Sequence, residues 1–453
     1  MKNMNQLLVI TQDNDRTKYI VRLILEQMLG LEVTFTSNYG NINQAQTPAL
    51  IYHDTPHKNG VTPFIKAYGL LKDSGVSEQK TEPFQYENTL GLFPTDVSQS
   101  IFPFDIFSAA FYLVTRYEEY LSKDRDKHNR FRPEESVLFR ENFLQKPVVN
   151  QYAALLREKL AAYYPQLTFP EKPFKAISTI DVDTAYACRG KSAMSNMGKI
   201  TRDLINGRFD AAKNRFLINQ GRLQDPFDTY DYLEKLHEQY STELIYFFLL
   251  SKGSKNDRNI DPESPELKEL LSKKARKFRI GIHPSYISHK KYETLKSELQ
   301  TYKKITGEKV RLSRQHFLKF ELPYTYRNLL RFGIKEDYSM GYASQPGFRA
   351  GIAWPFKFYD LLSEQETGLT VFPTTYMDGT LKEYLKLSPE EAIKKIDQLS
   401  EEVARYGGYF ISLWHNHTVS NHYDWENWRS VFEHSLQVMH KNHQQSLSTT
   451  QEY

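Results

Sequence analysis

Short apolar runs and helically spaced apolar residues alternate along the first part of the chain. Three segments predict strands: 7–11, 31–36 and 49–53. The first of them opens with an uninterrupted apolar run, which is typical of a buried strand. Apolar residues recur three and four positions apart across 16–29 and 104–121, and this spacing predicts one helix in each segment. The alternation predicts a small α/β domain over residues 1–170.

A second series of units follows a proline-punctuated stretch at 167–173. Buried apolar runs predict strands at 175–183, 243–250, 278–283, 310–317 and 408–414. Helical spacing predicts helices at 227–240, 265–277, 292–306, 325–332 and 389–405. About six strands alternating with helices predict a (β/α) barrel, or a deformed relative of one, over residues 174–440. Residues 441–453 are expected to form a disordered tail.

Polar side chains follow the predicted strands of this second series, at the ends where a barrel gathers its functional groups. They are Asp181 and Asp183, then His283, then Arg314 and His316, then Asp337, and finally His415 and His417. A single histidine after a strand is more often a hydrogen-bonded structural residue than a metal ligand. Five successive strand ends with polar groups nevertheless favour one shared site.

The residue types at these ends suit metal chemistry. Two imidazoles and a carboxylate, with positions left open for water and substrate, are what zinc or a similar divalent ion requires. A further carboxylate and imidazole would remain for general base and general acid roles. Cys188 is the single cysteine, so neither an intramolecular disulfide nor a cysteine-based zinc site can form.

Composition narrows the class of protein only slightly. The chain has 453 residues, of which 40% are hydrophobic and 25% charged, the usual balance of a globular protein. A net charge of +4 over this length indicates neither nucleic acid nor an anionic membrane as a partner. The apolar stretch 7–10 is too short for a signal peptide and no run suits a membrane span, so a cytoplasmic location is expected. The densely charged stretch 123–132 favours a solvated loop.

The strand-end motifs resemble those of the polysaccharide deacetylase superfamily, the NodB homology domain of carbohydrate esterases, over about residues 174–440. The resemblance implies a deformed (β/α) barrel that removes N- or O-linked acetyl groups from sugars with one divalent metal ion. The first family motif, Thr-Phe-Asp-Asp, resembles the segment Thr179-Ile180-Asp181-Val182-Asp183, which has one residue inserted between the carboxylates. This implies that Asp181 is the general base and Asp183 a metal ligand.

Later motifs of the family assign further roles by the same resemblance. Gly281-Ile282-His283 occupies the place of the second motif and implies His283 as a metal ligand. Arg314 begins the third motif and would steady the base. Leu413-Trp414-His415 resembles the last motif and implies His415 as general acid, with His417 in reserve. Asp337 is a candidate for the carboxylate that orients His415.

The chain departs from the family at two motifs. The second motif normally supplies two histidines four positions apart, and Ile287 stands at the second of these positions. We expect His316 to be the third ligand, with His289 as the alternative. The third motif reads Arg314-Gln315-His316-Phe317 instead of Arg-x-Pro-Tyr, so the floor of the pocket should differ. Zn²⁺ is the expected ion, with Co²⁺, Ni²⁺ or Mn²⁺ as alternatives.

More narrowly, the chain resembles a bacterial subgroup of deacetylase-like proteins. These share Asp-Val-Asp, Gly-x-His-Pro-Ser, Arg-Gln-His-Phe and the stretch from Pro346 to Gly351, and segment 116–147 resembles the accessory domain that precedes them. Arg349 and Trp354 are candidates to bind an anionic group and to stack on a sugar, although structural roles are equally compatible. For both, as for His417, the predicted role is substrate binding.

The resemblance and the expected location together predict a hydrolase that acts on a glycan precursor in envelope polysaccharide metabolism. The carbohydrate could be lipid- or nucleotide-linked. Two alternatives stay open. One is a catalytically inactive carbohydrate-binding or assembly module on the same barrel, and the other is a hydrolase of a different non-peptide C–N bond.

Overall fold

The computed structural model describes residues 5–39, 48–56 and 62–451. Within these residues the N-terminal part contains six strands, β1 (Gln6–Ile10), β2 (Glu32–Thr36), β3 (Ala49–His53), β4 (Phe64–Lys66), β5 (Phe84–Tyr86) and β6 (Thr89–Gly91). Its α-helices are α1 (Asp15–Val21), α2 (Ile106–Val114), α3 (Tyr117–Leu121), α4 (Val137–Arg140) and α5 (Val148–Tyr163). Helix α1 continues without interruption as a π-helix over Arg22–Met28. The strands predicted at 7–11, 31–36 and 49–53 are present.

Strands β1 to β4 form a parallel sheet in the order β2-β1-β3-β4. Alternate residues of β1 are buried on opposite faces, because Leu7 and Val9 belong to the main hydrophobic core and Leu8 and Ile10 to a smaller cluster. Burial on both faces explains the uninterrupted apolar run. Strands β5 and β6 form a separate antiparallel pair.

The helix predicted over 104–121 is interrupted at Arg116, so the prediction of one continuous helix is wrong. Arg116 has a φ of 56°, in the left-handed region that a helix interior excludes. Its guanidinium is buried and donates hydrogen bonds to Glu118 at 2.9 Å and to Glu119 at 2.8 Å. The break places this cation inside the molecule, against two carboxylates from the next helix.

The second part contains nine strands and eight α-helices within the described residues. The strands are β7 (Phe174–Val182), β8 (Glu243–Phe248), β9 (Arg279–Ile282), β10 (Leu312–Ser313), β11 (Glu336–Asp337), β12 (Phe356–Asp360), β13 (Gln365–Val371), β14 (Tyr376–Met377) and β15 (Gly408–His415). The helices are α6 (Ala193–Ile205), α7 (Phe209–Asn219), α8 (Tyr230–Gln239), α9 (Pro265–Ala275), α10 (Tyr292–Thr306), α11 (Tyr324–Arg331), α12 (Pro389–Tyr406) and α13 (Arg429–Gln451).

These nine strands form one sheet in the order β12-β13-β11-β10-β9-β8-β7-β15-β14. All neighbours are parallel except β12 and β13. Over the described ranges no pairing joins β12 to β14, so the series of strands is open and the deformed (β/α) barrel that we predicted is not confirmed. The mixed α/β class is confirmed. Helices α6 and α7 were not predicted, nor were the antiparallel pairs β5–β6 and β12–β13.

The two parts of the chain share one hydrophobic core. The main core cluster contains residues of both, and the rings of Tyr19 and Tyr359 lie 5.0 Å apart across the junction. The segment expected to be a disordered tail is helical as far as Gln451, because α13 extends to that residue. His443 of this helix hydrogen-bonds the Phe174 carbonyl oxygen at 2.9 Å. No helix in the described ranges is long and apolar enough to cross a bilayer.

Candidate metal centre

The carboxyl ends of neighbouring strands bring the predicted polar residues together. Strands β10, β9, β8, β7 and β15 are consecutive in the sheet. Asp181 of β7 lies in register with His415 of β15. Because parallel strands present their carboxyl ends at one edge, the side chains that follow β7, β9, β10 and β15 converge there.

Asp183, His283 and His316 form a group whose ligand atoms all lie within 4.8 Å of one another. Nε2 of His283 is 3.2 Å from Oδ1 of Asp183, and Nε2 of His316 is 3.4 Å from Oδ2. This is the ligand set that we predicted, with His316 in the third place. His289 is outside the group, and its Nδ1 hydrogen-bonds the Tyr286 carbonyl oxygen at 3.1 Å.

The hydrogen bonds of the two imidazoles show that a cation fits this group. Nδ1 of His283 donates to the Arg314 carbonyl oxygen at 2.6 Å, which leaves the lone pair of Nε2 facing Asp183. Nε2 of His283 and Oδ1 of Asp183 are both buried and have no hydrogen-bond partner within the described chain. Two lone pairs at this distance repel unless a cation lies between them. Nδ1 of His316 is held in the same way by Asp257 at 2.8 Å.

The charges around Asp183 also indicate that a cation fits this group. Burial would raise the pKa of Asp183, but the His316 and His415 imidazoles outweigh burial and hold it well below its usual range. Burial would lower the pKa of His316, but Asp183 and Asp257 raise it to about 9. The site therefore favours positive charge beside an ionised carboxylate.

Asp181 is buried beside the group and is paired with Arg314. Nη1 of Arg314 donates to Oδ1 of Asp181 at 3.0 Å, and its Nε donates to the Tyr338 carbonyl oxygen at 3.0 Å. The guanidinium lies 4.7 Å from the centre of the Phe247 ring. A Cβ atom at Gly281 would be 2.3 Å from that ring, so only glycine fits in β9 at this position. The predicted contact between Arg314 and Asp181 is present.

His415, on the strand next to β7, also faces the group and is held by Asp378. Its Nδ1 lies 2.9 Å from Oδ1 of Asp378, and its backbone N–H donates to Oδ2 of the same carboxylate at 2.9 Å. Nε2 of His415 is directed at Asp183, with 3.5 Å between Nε2 and Oδ2. Burial would lower the pKa of His415, but Asp378 and Asp183 raise it to about 10.

Asp337, our predicted partner for His415, is elsewhere in the sheet. Its carboxylate accepts hydrogen bonds from Ser313 at 2.7 Å and from the Ser339 backbone at 2.9 Å. Asp337 belongs to β11, and several strands separate β11 from β15, whereas Asp378 follows β14, the direct neighbour of β15. The correct carboxylate follows a two-residue strand that has too few residues to show a periodic pattern.

A cavity of about 170 Å³ lies over these side chains. His417 lines it, and its ring lies 5.4 Å from that of His415. Burial, followed by the charge of His415, lowers the pKa of His417 to about 4, so its imidazole is neutral at pH 7. Its Nδ1 is buried and has no partner in the part of the chain that the structure covers. Recognition of substrate by His417 remains a prediction.

The N-terminal part also contributes to the wall of this cavity. Arg130 is buried, so the expectation of a solvated loop over 123–132 is wrong at this residue. Its Nη1 donates to the Phe317 carbonyl oxygen at 2.8 Å. Phe317 and Leu318 follow His316 and have φ values of 63° and 50°, conformations that are unfavourable for bulky residues. Arg130 thus stabilises a strained turn directly after a candidate ligand, a role with no signal in the sequence.

The other two candidates for substrate binding are placed away from the group. Arg349 is buried, and its Nη2 is 2.7 Å from Oε2 of Glu119, so it is part of an internal ion pair. Trp354 lies in a different cavity at the amino end of the sheet, where its ring packs 5.6 Å from that of Tyr409 in β15. Stacking of Trp354 on a sugar bound at the carboxyl end is therefore excluded.

Comparisons with known proteins give a family for the N-terminal part and remote structural likenesses. Residues 6–165 match the model of a family of unknown function, DUF7033. No curated protein matches the chain. A candidate polysaccharide deacetylase from Mycobacterium smegmatis is 12% identical, with 60% of this chain and 86% of that chain covered and a TM-score of 0.39.

Two further solved structures have lower TM-scores. A polysaccharide deacetylase from Bacillus cereus is 11% identical, with 61% of this chain and 88% of that chain covered and a TM-score of 0.28. A CE4 family pseudoenzyme from Bacillus anthracis is 12% identical, with 61% of this chain and 62% of that chain covered and a TM-score of 0.28. These likenesses are too remote to indicate a function, so the proposed function rests on the geometry of the site.

Proposed function

We propose that the chain is a metal-dependent hydrolase that removes acetyl groups from a carbohydrate or glycan precursor. One observation carries the proposal. The ligand atoms of Asp183, His283 and His316 converge within 4.8 Å, and the buried Asp181 carboxylate and the His415 imidazole, held by Asp378, both lie beside them. Two nitrogens and one oxygen suit Zn²⁺, and Co²⁺, Ni²⁺ and Mn²⁺ accept the same donors.

A divalent ion held there would lower the pKa of water toward neutrality and polarise the acyl oxygen of the substrate. Asp181 accepts the proton from the attacking water as the new C–O bond forms. Arg314 orients Asp181 through the hydrogen bond from its Nη1 to Oδ1. His415 donates a proton from Nε2 to the departing nitrogen or oxygen as its bond to the acyl carbon breaks. The products are acetate and the free amine or hydroxyl group of the sugar.

The roles of Asp183 and Asp181 can be separated by experiment. Purified protein is loaded with Zn²⁺, and bound metal and acetate release from N- and O-acetylated oligosaccharides are measured. Asp183→Asn should lose bound zinc and hydrolysis together. Asp181→Asn should retain zinc and lose at least about 100-fold in hydrolysis, because only the base is removed. The exposed carboxylate Asp210 is a matched control, and Asp210→Asn should alter neither reading.

Full hydrolysis by Asp181→Asn with zinc bound would contradict the assignment. A second candidate function, an inactive carbohydrate-binding module, is favoured by Ile287 in place of the second-motif histidine. An inactive module of this kind should bind sugar without turnover. It should contain no stoichiometric metal. Stoichiometric metal without acetate release would instead favour hydrolysis of another C–N bond, such as a formamide or a cyclic amide.

A further inference from the structure

Helices α6 and α7 and the residues that flank them form a hairpin over 189–223, which we call the basic hairpin. The two helices pack on each other, and Ala212 and Ile218 are buried on the inner side. The hairpin begins where the Asp225 carboxylate accepts hydrogen bonds from the backbone N–H groups of Ala187 and Cys188, both at 2.8 Å. Its base is therefore fixed to the rest of the molecule.

The outer side of the basic hairpin is apolar and open to solvent. Met194, Met197 and Ile205 are 83%, 67% and 79% exposed, and helical spacing places them on one face of α6 together with Leu204. On α7, Phe209 is 67% exposed. Half of the fourteen exposed large apolar side chains within the described ranges lie in this one hairpin. Clustered exposure of this kind marks an interaction surface.

The same hairpin carries a strong positive charge. Residues 189–222 contain eight basic and two acidic residues, a net charge of +6, whereas the whole chain carries +4. Asp203 pairs with Arg208 and Arg215. Arg202 and Lys213 are exposed, and among the residues described no ion pair is found for either of them. The net charge of the whole chain conceals this local excess.

We propose that the basic hairpin docks on the surface of an anionic phospholipid bilayer, with the apolar face of α6 in the interface and the basic residues at the lipid phosphates. A helix with one apolar face, a basic polar face and low overall hydrophobicity lies in the plane of a membrane. Lys and Arg beside that face are attracted to anionic lipid. A nucleic acid would use the basic side chains but would leave the methionines and Ile205 exposed.

Docking would bring the candidate metal centre to the membrane. The segment after the hairpin contacts the site at Phe227. The Phe227 ring lies 5.5 Å from the His417 ring, and the Phe227 carbonyl oxygen accepts a hydrogen bond from Nδ2 of Asn416 at 3.0 Å. The substrate would then be a glycan presented at the bilayer, such as a lipid-linked precursor. This consequence rests on the proposed function, whereas the docking itself does not.

Docking is tested with the full-length protein and vesicles of phosphatidylcholine, either pure or with 30% phosphatidylglycerol. Co-sedimentation should be strong with the anionic vesicles and at least about tenfold weaker with the neutral ones. Met194→Ser/Met197→Ser/Ile205→Ser should reduce binding to anionic vesicles by at least about tenfold. Arg202→Glu/Lys213→Glu should reduce it about fivefold for each charge, and 0.5 M NaCl should have a similar effect.

Matched controls change exposed residues outside the hairpin. Tyr324→Ser/Leu362→Ser and Lys273→Glu/Lys303→Glu should bind vesicles as the unchanged protein does. Undiminished binding by the apolar triple variant, or equal binding to both vesicle types, would overturn the proposal. So would a dimer in light scattering that the triple variant dissociates, because a second copy would then cover the face. Zinc content and thermal unfolding should be unchanged in every variant. These two measurements therefore distinguish a loss of docking from a failure of the metal site.

Discussion

Two arginines buried at different places show what separates a chemical site from a structural ion pair. Arg314 at the carboxyl ends of the strands and Arg349 at the junction with the N-terminal part are both almost fully buried, and each pairs with a buried carboxylate. Arg314 lies 3.0 Å from Asp181, and Arg349 lies 2.7 Å from Glu119. Burial and pairing are thus the same in both places.

The difference lies in what else surrounds each carboxylate. Glu119 has a second guanidinium, Arg116, and although burial alone would raise its pKa, the two arginines lower it to about 2. A carboxylate with so low a pKa is a weak proton acceptor near neutral pH. Asp181 has one guanidinium and borders the cavity that also contains His283. The number of cations and the access to a cavity, rather than burial, separate the candidate base Asp181 from the structural carboxylate Glu119.

The largest effect should come from the structural pair. Arg349→Met leaves Glu119 buried with one cation fewer and should lower the free energy of unfolding by about 4 kcal/mol. Urea unfolding followed by circular dichroism measures this change. Hydrolysis per folded molecule should stay within about twofold, because Arg349 does not line the metal centre. A fall in turnover larger than the fall in stability would show that the two pairs are not distinct.

The matching change at Arg314, beside the candidate metal centre, should lower the rate of hydrolysis instead of the free energy of unfolding. Arg314→Met should lower kcat about 100-fold with bound zinc retained, because Asp181 loses the cation that orients it. As a positioning residue, Arg314 should alter kcat more than KM, and Arg314→Lys should restore part of kcat. Steady-state kinetics and metal analysis of the two variants provide both readings. Loss of zinc in Arg314→Met would instead indicate a role in building the metal site.

Acid should weaken the structural pair in a defined pH window. The folded pKa of Glu119, about 2, is below its value of 4.5 in a solvated chain, so the ion pair stabilises fully above pH 4.5. This stabilisation is lost as pH falls toward 2 and amounts to about 2 kcal/mol between pH 6 and pH 3. The variant Arg349→Met should lose less over that interval. Equal losses in urea unfolding at the two pH values would refute this account of the pair.

The smallest effect should come from Asp378, the carboxylate that holds the His415 imidazole. Asp378→Asn should lower kcat about tenfold with KM unchanged, because the amide no longer fixes the orientation of the His415 ring. Asp378→Glu should recover part of the loss. Asp337→Asn is the matched comparison and should reduce stability through its serine partners while kcat per folded molecule is retained. Equal kcat values for the two Asn variants would remove Asp378 from the site.

The sequence predicted those parts of the site that depend on long parallel strands. The ends of β7, β9 and β15 were recognisable because each strand is rich in buried β-branched or aromatic residues, and Asp183 and His283 follow β7 and β9 directly. The boundaries of long amphipathic helices were also predictable, and the helix predicted at 292–306 is α10 itself.

The contacts that remained unpredicted depend on short or irregular segments. Asp378 follows a two-residue strand, Asp257 lies in the loop after β8, and Arg130 reaches the site from the N-terminal part. None of these has a periodic pattern, and each acquires its role from a tertiary neighbour. Arg349 and Trp354 were misplaced for the same reason, because a loop residue has no register that fixes its direction.

The position of β15 has a consequence for biosynthesis. This strand lies between β7 and β14 in the sheet, yet among the described strands it is the last to leave the ribosome. Until β15 is synthesised, β7 lacks one of its two neighbouring strands. Asp378 likewise lacks its partner, the His415 imidazole. The ligand group could assemble from Asp183, His283 and His316 before then. The proton donation that we propose for His415 requires that synthesis has passed residue 415.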